Sequence, residues 1–137
     1  MGLVVRAALF LALGVGHVQP ARPPDYRGDV VRYAPGRMGD VANNRGIAWA
    51  PHMAAFTYAR DADMGVLWLH IVGPAGAADF LVVDLPRPGK DKQGLIARGV
   101  VAEVDFLSGE LICGKRWRGK ASECPVRVWV IPDRSDE

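Results

Sequence analysis

Six short apolar runs punctuate the chain: VVRY at 30 to 33, MAAFTY at 53 to 58, GVLWLHIV at 65 to 72, FLVV at 80 to 83, GVVAEV at 99 to 104 and VRVWVI at 126 to 131. They are rich in Val, Ile, Leu and aromatic side chains, and clusters of Gly, Pro and Asp separate them. Short β-rich runs with turn residues between them read as strands. In VRVWVI, Arg127 alternates between Val126 and Val128, which marks one wet face, whereas FLVV does not alternate and reads as buried on both faces. The pattern predicts a mainly β protein closed into a barrel. One segment reads as helical: in VDFLSGELICG, Asp105 can cap the start, Phe106, Leu107, Leu111 and Ile112 share one broad face, and Gly114 can end it. A second short helix is weakly indicated in GDVANNRGI, with Asp40 as its cap, against which Asn43, Asn44 and Gly46 argue.

The ends of the chain read differently. Residues 1 to 16, MGLVVRAALFLALGVG, carry one charge at Arg6 and then only apolar and small residues, the layout of an export signal. Its apolar stretch falls far short of the roughly 20 residues a membrane span needs. We therefore expect a signal peptide over 1–21, cut between 16 and 21, and no stable membrane span after processing. The alternatives are an uncleaved N-terminal anchor or a buried first helix. The proline-rich stretch 22–29 reads as a linker, 30–132 as the barrel domain and 133–137 as a polar tail. Such a protein would be secreted, extracellular or periplasmic, at the cell envelope.

Charge and cysteines narrow the chemistry. The formal net charge is only +2, and one of those charges, Arg6, lies in the expected signal, so no nucleic-acid footprint is visible. The two cysteines, Cys113 and Cys124, read in an exported chain as one disulfide closing a short loop. A metal pair or two free thiols are the alternatives, but there is no CxxC and no histidine nearby. His52 and His70 are a strand apart and His17 lies at the signal, so neither a metal nor another cofactor is expected.

The order VVRYAPG, MAAFTYARDADMGVLWLHIVGPAG, FLVVDLPRPG, VVAEVDFLSGELICG and CPVRVWVI resembles the RlpA-like (rare lipoprotein A) double-psi β-barrel domain. Expansin N-terminal domains and barwin belong to the same wider group. The likeness spans residues 30 to 131. Tyr33 stands where the family opens its barrel with Tyr-Gly, and Met53-Ala54-Ala55-Phe56 stands where it has Thr-Ala-Ala-His before the glycine equivalent to Gly65. Val83-Asp84-Leu85-Pro86 matches its Asp-Arg-Gly-Pro strand end. Glu103-Val104-Asp105 matches its Asp-Leu-Ser helix start, with Ser108-Gly109 in place of a small pair.

The resemblance implies a six-stranded double-psi barrel with one or two short helices and a groove that binds peptidoglycan or a related glycan. In the lytic transglycosylase members it implies cleavage of that glycan, using a His, an upstream acid and the strand-end Asp. This chain departs from the pattern: Phe56 takes the His position, and Asn43 and Asn44 lie where the upstream acid would be.

Asp84 is the first catalytic candidate, with Glu103 or His52 as partner, because glycan cleavage needs a proton donor and often a second carboxylate. The plainer role of Asp84 is to cap the LPRPGK turn, and that of Glu103 is to steady the start of the following helix. Tyr33, Trp49 and Trp117 are candidate platforms for sugar rings, with Arg116 and Arg118 beside Trp117 as partners for acidic groups. Trp117 alternatively covers the barrel end, and Trp49 alternatively caps the core. The function expected is that of a secreted glycan-binding protein of the cell wall, with a lytic enzyme using Asp84 as the alternative. A barwin-like protein-binding module is a third.

Overall fold

The computed structural model describes residues 19 to 132. In chain order it contains β1 (Tyr26–Arg32), α1 (Arg37–Asn44), β2 (Met53–Phe56), a single 3₁₀ turn (Asp61–Asp63), β3 (Trp68–Val72), β4 (Ala77–Asp84), α2 (Lys90–Ala97), β5 (Val100–Val104), α3 (Phe106–Cys113) and β6 (Pro125–Ile131). The strands close into a barrel in the order β1-β5-β2-β4-β3-β6. Two neighbouring pairs, β1 with β5 and β2 with β4, are parallel, and the other four are antiparallel. Exchanging β1 with β4, β2 with β5 and β3 with β6 leaves every neighbour and every direction unchanged. The halves β1 to β3 and β4 to β6 thus share one connectivity about a pseudo-two-fold axis. The mainly β, six-stranded barrel expected from the sequence is the fold observed, with three short helices rather than one or two.

The interior is filled by alternate strand residues, among them Val30, Ala54, Phe56, Leu69, Phe80, Val82 and Val104. FLVV is buried on both faces because α1 lies over the outside of β4, where Met38 and Ala42 pack against Met53, Leu81 and Val83. The helix itself follows Gly36, whose φ of +73° suits glycine. Asp40 falls inside the first turn and does not cap it.

One domain boundary differs from the expectation. Strand β1 begins at Tyr26, so 26–29 are barrel and not linker. The apolar pattern hides this start because Gly28 stands in it; a Cβ there would lie 2.5 Å from the Gly99 carbonyl oxygen. Even the preceding turn is tied down: Trp129 Nε1 donates to the Arg22 carbonyl at 2.8 Å, and Asp25 accepts from the Val130 amide at 2.7 Å. Residues 1–18 of the expected signal and the tail 133–137 lie outside the described residues.

The missed helix is α2, KDKQGLIA, in which Leu95 is the buried residue, too little to show as a periodic stripe. Helix α3 starts as expected, with the Asp105 side chain accepting from the Ser108 amide at 2.7 Å. Its buried face is only half the expected one: Ile112 and, in part, Phe106 turn inward with Ser108 and Gly109, while Leu107 and Leu111 are exposed. The reason is Trp117, which lies so close that a Cβ on Gly109 would come within 2.0 Å of its ring. Cys113 and Cys124 form a disulfide from the end of α3 to the residue before β6. Such bonds persist in oxidising compartments. Among the described residues no helix is long and apolar enough to cross a membrane.

Candidate functional site

Four neighbouring strands bring one residue each into a row. Val31 on β1 pairs with Glu103 on β5, Glu103 with Ala55 on β2, and Ala55 with Asp84 on β4. Residues directly opposite on neighbouring strands share a face. Glu103 points out of the barrel, since its neighbours Ala102 and Val104 are in the interior. Strict alternation from Phe80 and Val82 would send Asp84 inward. A register shift between Ala54 and Ala55 against β4 resets the parity and sets Asp84 beside Ala55. The two acids therefore flank one small residue, about two strand spacings or roughly 10 Å apart at their Cα atoms.

Both line one open groove of about 690 Å³. A second pocket of about 340 Å³, floored by α2, shares Pro86, Asp91 and Glu103 with it. Glu103 thus stands where two depressions meet. Arg60, Arg87 and Lys92 stand on the rim together with Asp61 and Asp91. Arg87 is bonded to Asp91 at 2.9 Å, so the rim is balanced in charge and not strongly basic.

The two acids sit in unlike surroundings. The Asp84 carboxylate accepts from the Tyr33 hydroxyl at 2.5 Å and from the Arg45 guanidinium at 3.0 Å. Tyr33 comes from the end of β1 and Arg45 from the C-terminal cap of α1, so two elements distant from Asp84 in sequence hold it. The turn-capping role is not what the structure shows for Asp84: among the described residues its hydrogen bonds go to these side chains. Glu103 is half-buried and lacks such donors. Burial first, and the Asp84 charge second, push its carboxyl above the ordinary glutamate range, with Arg98 opposing. It does not steady α3, a task that falls to Asp105. Burial and then Asp84 also push the Tyr33 phenol up, so it stays protonated and donates. Tyr33 therefore holds Asp84 through its hydroxyl and is not itself part of the groove lining.

A carboxyl group biased to hold its proton, next to a carboxylate held by a cation, is the pairing that acid-assisted bond cleavage uses. Arg45 is the residue that sequence reasoning missed. A lone arginine behind a weak eight-residue helix carries no pattern, and only the position of α1 over β4 reveals it.

The other candidates are not brought to the groove. His52 shares its parity with the inward residues Ala54 and Phe56; its Nδ1 lies 3.4 Å from the Ser108 hydroxyl and its ring 5.6 Å from that of Phe80. Phe56 is buried in the barrel against Tyr26 and Tyr58. The position at which the resemblance puts a histidine thus faces the core. Trp117 is not a surface platform: it is 3 % exposed and stacks on Phe106 at 5.7 Å. Its indole Nε1 is buried with no hydrogen-bond partner. Arg116 and Arg118 remain exposed around the sealed ring. Trp49 is 75 % exposed on the loop between α1 and β2, outside the groove lining.

Among the described residues no group of three or more His, Cys, Asp or Glu side chains could hold a metal ion. In comparisons with known proteins, no family model, no curated protein and no solved structure matches the chain.

Proposed function

We propose that the groove takes a glycan strand of the cell wall and cleaves it by acid catalysis, with Glu103 giving a proton to the glycosidic oxygen and Asp84 as the charged partner. The observation that carries this reading is the single row in which Glu103 and Asp84 flank Ala55 in one groove, in unlike environments. Protonation makes the departing sugar oxygen a good leaving group, and a carboxylate across the bond stabilises the positive charge that develops on the ring or activates water there. Tyr33 and Arg45 fix Asp84 at the orientation this needs. The polymer is inferred from the trough, which continues past Glu103 on both sides, and from the RlpA-like order of the strands. A disulfide and an expected signal fit an enzyme that works outside the cytoplasm.

Binding without cleavage is the second reading, favoured by the absence of a histidine from the groove lining. One assay separates them. Purified protein is incubated with peptidoglycan sacculi, and soluble muropeptides and pelleted protein are measured together, with Glu103→Gln and Asp84→Asn in parallel. Release that both substitutions abolish is the expected result. Pelleting without release makes the protein a binding module, and neither result overturns the glycan reading and points to a protein partner.

A further inference from the structure

On the outer wall, away from the groove, Arg27 of β1 lies directly opposite Arg127 of β6. Like charges at facing positions of an antiparallel pair destabilise a sheet. The closed barrel fixes the register of both strands, so the pair cannot slide apart. Tyr26, Val126 and Val128 turn inward on the same strands, which leaves both arginines facing out.

Neither guanidinium has an ion pair or a hydrogen bond among the described residues. Arg127 is half-buried, and its guanidinium carbon sits 5.7 Å from the centre of the Trp129 ring, which holds one fork in place. Between them opens a pocket of about 500 Å³, walled by Val72, Pro125 and the bare backbone of Gly28, Gly73 and Gly99. Asp29 lines it too, two residues along β1, without an ion pair to either arginine. Two arginines against one aspartate leave the pocket lining with a net positive charge, which suits an anion with several oxygens.

We propose that Arg27 and Arg127 together bind a phosphate group in this pocket, at a site separate from the acid groove. The anion removes the repulsion between the two strands, so occupancy stabilises the barrel by mass action. Free phosphate and a phosphodiester of a polymer share this chemistry.

The test is thermal unfolding of the purified protein in phosphate-free, low-salt buffer, with inorganic phosphate added against sodium chloride of equal ionic strength. The expected result is a saturable rise in Tm beyond that with chloride, lost in Arg27→Gln and in Arg127→Gln. In the phosphate-free buffer, Arg27→Gln unfolds no earlier than the wild type, because it removes a repulsion. A rise no larger than that with chloride, or one equal in the variants, overturns the proposal. An NMR titration reads the same event directly: the side-chain Nε–H signals of Arg27 and Arg127 shift together and saturate. Signals that stay put or drift without saturating overturn it. Dimethyl phosphate as a second probe identifies the source, since saturation by the diester assigns the pocket to a phosphodiester polymer and saturation by inorganic phosphate alone to the free ion.

Discussion

The acid row and the disulfide-tied loop are both dense in charge, and both carry side chains suited to sugars, yet one is wet and the other is shut. In the row, Glu103 and Asp84 flank the small Ala55 and both line an open trough. In the loop, Lys115, Arg116, Arg118 and Lys120 stand outside while Trp117 turns inward onto Gly109 and Phe106. A charged sequence around an aromatic therefore says little about where the ring goes. What decides is the space on the facing element: a glycine opposite Trp117 takes the indole in.

The two regions should separate cleanly under mutation. The largest effect is expected in the row: Glu103→Gln should cut muropeptide release about 10²- to 10⁴-fold, the usual worth of a general acid. Circular dichroism melts should show the variant at least as stable as the wild type, and a variant that melts early would make Glu103 structural. Trp117→Ala should do the opposite, costing about 3–5 kcal/mol of stability in urea titrations while the release per folded molecule holds. Loss of release without loss of stability would return Trp117 to the ligand.

Removing the disulfide by paired Cys113→Ser and Cys124→Ser should cost about 3 kcal/mol, again without touching the row. The fourth effect is smaller and depends on pH. The Glu103 carboxyl is pushed up in the folded state, so below the unfolded glutamate pKa both states hold the proton and Glu103→Gln is neutral. As pH rises above that value the unfolded chain ionises first, and the wild type loses stability relative to the variant. Melts at stepped pH should therefore show Glu103→Gln gaining on the wild type from about pH 4.5 upward. Release should fall along the same rise, as the acid form disappears.

All six strands are legible in the apolar runs, because a barrel wall must alternate or be covered, and composition alone separates Val-rich runs from Gly-Pro turns. The start of β1 is not, since Gly28 answers to a backbone approach from Gly99 and not to hydrophobicity. Asp84 and Glu103 are legible as acids in apolar surroundings, but their common groove depends on one register shift in β2 against β4, which no residue pattern records. Arg45 belongs to the site through tertiary placement alone. Half of the α3 face is illegible, because Ser108 and Gly109 rather than Leu107 and Leu111 join Ile112 against the barrel where an indole fills the gap.

Among the six strands, only β3 and β4 are neighbours both along the chain and around the barrel. Every other seam joins segments with at least one further strand threaded between them, so closure waits on long loops finding their ends. The β3–β4 hairpin can form in microseconds, but the whole should fold on the millisecond-to-second scale of non-local β proteins. During that interval the edges of β1, β2, β5 and β6 stand open to strands of other chains. A dilute, oxidising refolding mixture is thus the condition in which this barrel should close rather than aggregate.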